Sequence, residues 1–281
     1  MNPFFSIIIP AYNAAETLSG TLNSIAKQSC SDYELIVVND GSTDDTLKIL
    51  ENFKAKNTSL RIKIISQQNQ GLGASRNTAI KYATGNYCAL LDADDTWHLN
   101  KLERCKTILE NKPVDLLYHS MDTQVANKTY VRKAKKHKDV NDLLINGSSI
   151  IPSASILQTE VAKTYPFSTN KNLHGVEDLD VWVRLLADHK SGKALNESLG
   201  YYHEESGMSN KLDEHFNHFK NLLAHLETSK VISPSIKRKA LDRKHYEIAR
   251  FYHKRKLLTQ AFTYYAKAWL YVLKKRLKVS S

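Results

Sequence analysis

The chain has 281 residues, of which 42% are hydrophobic and 25% charged, a composition typical of one or two globular domains. The sequence predicts neither a membrane-spanning helix nor a signal peptide, because every uncharged apolar run is shorter than 18 residues and the N-terminal one lacks basic residues before it. The three cysteines include no Cys-x-x-Cys spacing, which disfavours a disulfide framework or a zinc site and indicates a cytoplasmic location.

The net charge of +11 is unevenly distributed along the chain. Residues 230–281 contain 15 Lys and Arg against two Asp and Glu, a charge of +13, so residues 1–229 carry a charge of −2. An asymmetry of this kind predicts a polyanionic neighbour, either nucleic acid or an anionic membrane surface.

Short apolar runs alternate with helical patterns over the first 120 residues. The apolar runs predict strands at 4–9, 34–39, 61–66 and 87–92. Apolar stripes predict helices after each strand, the first capped by Asn13 and the second by Ser42. This order predicts a parallel sheet with helices on its faces.

The alternation stops beyond residue 120. The sequence predicts a basic loop or hairpin at 129–140, a helix with an acidic start at 174–189, and a strand leading into a loop at 199–209. The last 70 residues are helical in pattern and include an apolar stripe at Leu258, Phe262, Tyr265, Trp269 and Val272. We therefore expect a first domain at 1–209 and a basic helical extension at 210–281.

Polar residues follow each predicted parallel strand, at 10–13, 40–44, 67–77 and 92–95. Because ligands bind at the carboxyl ends of such strands, we expect these clusters to share one rim of the sheet. Asp92, Asp94 and Asp95 would repel one another there. Either they begin a helix, whose N-terminus favours acids, or they bind a divalent cation. The shared rim favours the cation site.

Five segments resemble family 2 glycosyltransferases in their order and spacing: SIIIPAYN, VVNDGSTDDT, GLGASRN, LLDADDTW and GVEDLDVWVRL. The resemblance covers about residues 4–209. It implies an α/β fold with a Rossmann-like, mostly parallel sheet flanked by helices, of the A type that binds nucleotide-sugars, followed here by the C-terminal α-helical extension. It also implies a direct displacement that inverts the anomeric configuration.

The resemblance assigns several residues to a nucleotide-sugar donor, with a UDP-sugar expected. Asp40 matches the acid that accepts hydrogen bonds from uracil and ribose, and Arg76 matches a position near the diphosphate. The base pocket would be lined by Pro10, Ala11, Tyr12 and Asn13. Alternatively, Asp40 only starts the turn at Gly41 and Arg76 is a surface residue.

The Asp92-Ala93-Asp94 sequence matches the Asp-x-Asp motif of the family. The resemblance places Asp92 and Ala93 on the ribose side and makes Asp94, with Asp92, the ligands of Mn²⁺ or Mg²⁺, which neutralises the charge of the leaving diphosphate. His203 matches a histidine that approaches the metal or diphosphate, although HEESGMS has one residue more than the usual spacing. Alternatively, His203 is an ordinary loop histidine.

Glu177 and Asp178 resemble the acidic pair that supplies the catalytic base. In this interpretation Asp178 takes the proton of the acceptor hydroxyl and Glu177 is structural. Asp180 is expected on the helix surface, and Trp182 in the core or in the wall of an acceptor pocket.

Together these features predict a cytoplasmic, metal-dependent inverting glycosyltransferase that uses a glycan or lipid-linked acceptor in cell-surface polysaccharide synthesis. One alternative is a polyprenyl-phosphate glycosyltransferase, whose phosphate acceptor needs no strong base. Another is a non-catalytic binding module that uses the basic extension. Residues 230–281 are either solvated helices packed on the catalytic domain or a peripheral anchor on the anionic inner face of the membrane. The sequence contains no nucleic-acid-binding motif, which disfavours nucleic acid as a partner.

Overall fold

The computed structural model describes residues 2–125, 128–203 and 212–269. The strands are β1 (Phe5–Ala11), β2 (Tyr33–Asp40), β3 (Arg61–Gln67), β4 (Tyr87–Leu90), β5 (Thr96–Trp97), β6 (Leu116–Val125), β7 (Lys128–Arg132), β8 (Ser155–Gln158) and β9 (Gly192–Tyr202). The helices are α1 (Leu18–Ala26), α2 (Thr46–Lys56), α3 (Leu72–Lys81), α4 (Lys101–Asn111), α5 (Val140–Asn146), α6 (Thr159–Thr164), α7 (Glu177–Ala187), α8 (Leu212–Thr228), α9 (Pro234–Lys254) and α10 (Leu258–Lys267).

The predicted four-stranded parallel sheet is confirmed, in the order β3-β2-β1-β4. Every residue of β1 is buried, because helices cover both faces of a central parallel strand. In contrast, β3 alternates between exposed and partly buried residues and lies at the edge of the sheet. The carboxyl ends of all four strands therefore meet at one rim.

The second half of the sheet is mixed rather than parallel. β8 pairs antiparallel with β4 and with β6, while β6 pairs parallel with β9. β7 folds back on β6 as a hairpin, within the region where the sequence predicts a basic loop or hairpin. β5 pairs with the end of β9, so that residues 96–97 and 200–201 lie side by side. This pairing brings the loop after β4 close to the end of β9.

The described residues form two compact units. The first comprises residues 2–125, 128–136 and 149–203, and the second comprises 137–148 and 212–269. Within the second unit α5 packs on α9, where the Arg243 guanidinium donates to the Asn146 carbonyl oxygen at 3.0 Å. The domain boundary expected near residue 210 lies outside the described residues.

The apolar stripe predicted for the last helix lies largely in solvent. Leu258 is 64% exposed, Phe262 75% and Trp269 61%, whereas Ala261 and Ala268 are buried. Val272 lies outside the described residues. Among the helices described, none combines the length and the hydrophobicity needed to cross a bilayer.

Both predicted helix caps are wrong. α1 begins after Thr17 and α2 after Asp45. Asn13 and Ser42 instead join two loops: the Asn13 amide donates to Ser42 Oγ at 3.0 Å, and the Thr43 amide donates to Asn13 Oδ1 at 2.9 Å. Capping-type residues bond to backbone amides in loops as readily as at helix ends, so local spacing alone does not distinguish the two.

The two glycines at the start of α3 meet structural needs. Gly71 precedes the helix with φ +89°, a conformation that L side chains rarely adopt. Gly73 faces the segment before α7, where an added Cβ would lie 2.3 Å from the Ser168 carbonyl oxygen. Close packing of α3 therefore explains Gly73, independently of any bound phosphate.

We predict that Gly73→Ala lowers the free energy of unfolding by about 1–3 kcal/mol, because the backbone at Ser168 must shift to admit the methyl group. The matched control is Gly20→Ala in α1, where the added Cβ meets nothing closer than 3.9 Å. This control should raise the unfolding free energy by about 0.4–1 kcal/mol. Urea denaturation measures both, and equal effects of the two substitutions would contradict the packing argument.

Candidate active site

Side chains and backbone groups join the loops at the carboxyl ends of the parallel strands into one rim. The loop after β1 bonds to the loop after β2 through Asn13, and the Ala15 amide donates to Asp44 Oδ2 at 3.0 Å. The Ala93 carbonyl oxygen, in the loop after β4, accepts bonds from the Thr17 and Thr21 hydroxyls at 2.9 Å each. The rim is thus fixed by hydrogen bonds between residues distant in the chain.

Asp40 fastens the loop after β3 to the end of β2. Its Oδ1 accepts from Gln67 Nε2 at 2.7 Å and from the Gln70 amide at 3.0 Å, and its Oδ2 accepts from the Gly71 amide at 2.8 Å. A carboxylate can accept about four hydrogen bonds. The predicted nucleotide contact therefore competes with, or adds to, three bonds that position the start of α3.

The four residues predicted to line the base pocket differ in exposure. Pro10 and Ala11 are buried at the end of β1. Tyr12 is 52% exposed on the rim and offers an aromatic face. Asn13 is also exposed, but its Oδ1 already accepts from the Thr43 amide.

The three aspartates after β4 do not begin a helix, so that alternative is wrong. α4 starts at Lys101, and Asn100 precedes it. Asp92 and Asp94 are partly buried, whereas Asp95 is fully buried and accepts from the His203 amide at 2.9 Å. Burial raises the pKa of Asp95 well above its usual value, and the charges of Asp92 and Asp94 raise it further.

Ser153 supports the acidic loop, residues 92–95, and was not identified from the sequence. Its Oγ accepts from the Asp92 amide at 3.0 Å, and its carbonyl oxygen accepts from Trp97 Nε1 at 2.7 Å. Ser153 belongs to a 3₁₀ turn at Pro152–Ala154. The sequence indicates only a break at Pro152, because the partners of the serine are more than 50 residues away.

Arg76 is buried beneath the site, so its alternative as a surface residue is wrong. Only 1% of its surface is exposed, and the guanidinium bonds Asp92 Oδ1 at 2.6 Å and Glu177 Oε1 at 3.3 Å. Burial alone would lower the pKa of Arg76, but the charges of Asp92 and Glu177 outweigh burial and raise it. Arg76 thus connects the acid after β4 with the acid that begins α7.

Asp178 follows Glu177 at the start of α7 and is partly buried. Burial and the neighbouring Glu177 charge raise the pKa of Asp178 from 3.8 to about 7, against the opposing effect of Arg76. A carboxyl group with this pKa can take a proton near neutral pH. The structure therefore brings Arg76, Asp92, Glu177 and Asp178 together.

Two expectations about the rest of α7 are resolved. Asp180 is buried rather than on the helix surface, and it accepts from Arg184 Nε at 3.0 Å. Trp182 is fully buried in the core.

The acidic loop suits a hard divalent cation that shares its coordination with a ligand. Among the described residues, no three His, Cys, Asp or Glu side chains form a complete metal site. Mg²⁺-type sites, however, often use one or two carboxylates together with substrate phosphates and water. Asp92 and Asp94 provide such oxygens, and Asp95 Oδ2 is buried without a hydrogen-bond partner among the described residues. The exposed His203 adjoins this loop through its amide.

The chain matches known sequences along most of the first unit. Residues 6–168, more than half of the chain, match the family model described as Glycosyl transferase family 2. A relative from Escherichia coli, UDP-Glc:alpha-D-GlcNAc-diphosphoundecaprenol beta-1,3-glucosyltransferase WfgD, is 31% identical over 186 residues. That alignment covers 66% of this chain and 70% of the relative.

Solved structures show the same fold. The crystal structure of S. aureus TarS 1-349 in complex with UDP-GlcNAc has a TM-score of 0.68 and 21% sequence identity, covering 89% of this chain and 74% of that one. The mannosyltransferase PcManGT from Pyrobaculum calidifontis, in complex with GDP-Man and Mn²⁺, has a TM-score of 0.65 and 17% identity, covering 99% and 81%. These likenesses confirm the A-type fold that the sequence motifs imply.

We predict that Asp178→Asn stabilises the protein at neutral pH. Because the pKa of Asp178 is raised from 3.8 to about 7, the folded state is destabilised progressively as the pH rises between those values. Asparagine cannot ionise and escapes this destabilisation. The Tm of the variant should exceed that of the native protein by an amount that grows from pH 4 to pH 7 and then levels off.

The matched control is Asp180→Asn, two residues further along α7. It removes the negative charge that pairs with Arg184 and should lower the Tm at pH 7. A Tm gain for Asp178→Asn that does not change with pH would contradict the raised pKa.

Proposed function

Because the chain belongs to glycosyl transferase family 2 and is a glycosyltransferase, we propose that it transfers a sugar from a UDP-linked donor to a glycan or lipid-linked acceptor in cell-surface polysaccharide synthesis. The proposed reaction is metal-dependent and inverts the anomeric configuration. The observation that carries it is the buried contact of Arg76 with Asp92 and Glu177. This contact joins the acids suited to the donor with the acid suited to the acceptor.

In the proposed reaction Asp178 is the catalytic base. The acceptor hydroxyl oxygen forms a bond to C1 of the donor sugar while the bond from C1 to the UDP oxygen breaks, and the hydroxyl proton passes to Asp178. The raised pKa of Asp178 supports this role, since a base is most effective when its pKa lies near the working pH. Glu177 and Arg76 hold the start of α7 in place beside the acidic loop.

Asp94 and Asp92 would hold Mn²⁺ or Mg²⁺. A bound cation of this kind neutralises negative charge on the leaving diphosphate. Asp40 and Tyr12 support binding of the nucleoside, because one provides a buried carboxylate and the other an exposed aromatic face on the same rim. The named activity of the E. coli relative, with UDP-Glc as donor and a diphosphoundecaprenol-linked sugar as acceptor, supports the choice of both substrates.

We predict that a screen of UDP-, GDP- and dTDP-sugars finds hydrolysis of a UDP-sugar that requires Mn²⁺ or Mg²⁺. Asp178→Asn should lower the rate of transfer by about 100-fold or more, because general base catalysis is lost, while UDP binding measured by calorimetry is retained. The control is Asp180→Asn, whose side chain bonds Arg184 instead.

Three results would count against this proposal. Hydrolysis of GDP-Man but of no UDP-sugar would show that the donor is GDP-linked rather than UDP-linked. A fall of less than fivefold for Asp178→Asn would favour the polyprenyl-phosphate alternative, whose acceptor needs no strong base. No binding of UDP with Mn²⁺ would favour the non-catalytic module.

We also propose that the helical extension, residues 210–281, binds the anionic inner face of the membrane. α10 supports this role because it presents Leu258 and Phe262 to solvent, and Trp269, two residues after the end of α10, is also exposed. The three residues that end α9 and follow it, Lys254, Arg255 and Lys256, are exposed and basic. Exposed apolar residues beside basic ones are typical of interfacial helices, and each basic residue near such a surface adds roughly 1 kcal/mol.

We predict that Leu258→Gln combined with Phe262→Gln weakens binding to phosphatidylglycerol vesicles by about tenfold or more, since burial of a large apolar side chain is worth about 1.5–3 kcal/mol. The matched control is Leu99→Gln, because Leu99 is 62% exposed but lies in the first unit. Vesicle sedimentation measures both. Equal binding by the double variant and the native protein would exclude α10 as the anchor.

A further inference from the structure

Residues 128–136, the basic segment, form an unusually charged edge of the first unit. The segment reads KTYVRKAKK and contains five basic residues and no acidic one. They are Lys128, Arg132, Lys133, Lys135 and Lys136, and all five are exposed. None of the five forms an ion pair with another described residue. Their charge is therefore available to a ligand.

The end of β7, in the middle of the basic segment, lies beside the candidate active site. The guanidinium carbon of Arg132 lies 4.6 Å from the centre of the Tyr202 ring. The next residue after Tyr202 is His203, whose amide donates to Asp95. Arg132 thus adjoins the acidic loop through Tyr202.

Side chains at alternate positions of β7 form a row within the basic segment. Side chains two residues apart lie on the same face of a strand, so Lys128, Tyr130 and Arg132 share the face on which Arg132 meets Tyr202. Four residues of strand extend over roughly 13 Å. Tyr130, between the two cations, is 51% exposed. The row offers positive charge and an aromatic face along a path that leads to the site.

Protection of the sheet edge explains only part of this charge. Edge strands often carry Lys to prevent pairing with other chains, and Lys128 and Arg132 fit that role because, among the strands described, β7 pairs only with β6. Lys133, Lys135 and Lys136 lie beyond the end of β7, where no edge needs protection. A polyanionic ligand accounts for all five residues.

We propose that the basic segment binds the phosphate groups of the acceptor, which is a sugar linked to its carrier through a diphosphate. This inference rests on the proposed function, since it names the acceptor class of that reaction. The donor diphosphate belongs at the acidic loop with a cation. The acceptor diphosphate, which lies on the far side of the sugar that carries the attacking hydroxyl, needs a separate source of positive charge. The basic segment supplies it within the same unit as Asp178. The diphosphate-linked acceptor in the name of the E. coli relative has this chemistry.

The test measures binding of geranyl diphosphate, with geraniol as the uncharged probe. EDTA is present throughout, because without a divalent cation Asp92 and Asp94 repel a diphosphate from the donor site. The variant is Lys128→Gln/Arg132→Gln/Lys133→Gln. The matched control, Lys48→Gln/Lys54→Gln/Lys56→Gln, removes the same charge from exposed positions of α2 in the same unit. Circular dichroism verifies that each variant is folded.

We expect the Kd for geranyl diphosphate to rise about fivefold or more in the basic-segment variant and to stay within twofold in the control. The Kd of the native protein should also rise between 50 and 300 mM NaCl, and less steeply in the variant, because salt screens exposed charges. Geraniol binding should be the same in all three proteins.

An unchanged Kd in the basic-segment variant would overturn the proposal. Protection of the sheet edge would then remain as the role of the basic segment. Loss of binding to phosphatidylglycerol vesicles, with the Kd for geranyl diphosphate unchanged, would also overturn it and assign the segment to the lipid surface. Donor hydrolysis, measured on the same variants, tests the proposed function separately. If the protein hydrolyses a UDP-sugar but the diphosphate test fails, the proposed function stands and only the proposed acceptor contact is rejected.

Discussion

The buried guanidinium of Arg76 holds the candidate active site together. It faces Asp92 and Glu177 directly, and Asp178 lies close enough for Arg76 to affect its pKa. One positive charge therefore meets three carboxyl groups in a poorly solvated place. Removing one partner of such a buried pair costs about 3–5 kcal/mol, since a charge is left uncompensated. Two events can compensate the excess negative charge: protonation of Asp178, and binding of a cation at the outer carboxylates.

This charge imbalance accounts for two properties that the proposed reaction needs. A carboxyl group with a pKa of about 7 can both accept and release a proton at neutral pH. A cluster of acids that is short of positive charge attracts a divalent cation together with its phosphate ligand. In this view the proposed base and the candidate metal site are two results of one electrostatic arrangement centred on Arg76.

Hydrogen bonds between loops keep the rim in place around that centre. Asp40 positions the start of α3, which carries Arg76, while Ser153 holds the backbone of Asp92. Such supporting contacts matter because catalytic groups must be held close to their productive geometry. The proposed acceptor contacts lie further out, on the basic segment, where exposed charges steer a substrate without disturbing the buried cluster.

The sequence by itself determined the parallel sheet, the rim on which the polar clusters meet, and the family motifs. These features depend on local patterns: buried strands give short apolar runs, and parallel strands place their carboxyl ends together. The tertiary structure decided what those patterns leave open. It buried Arg76 against Glu177, 101 residues away, and assigned Asn13 and Ser42 to loop contacts rather than helix caps. It also exposed the stripe on α10 and placed residues 137–148 in the second unit. The physical reason is that burial and pairing depend on which distant segments meet. The periodicity of residues along the chain does not identify those segments.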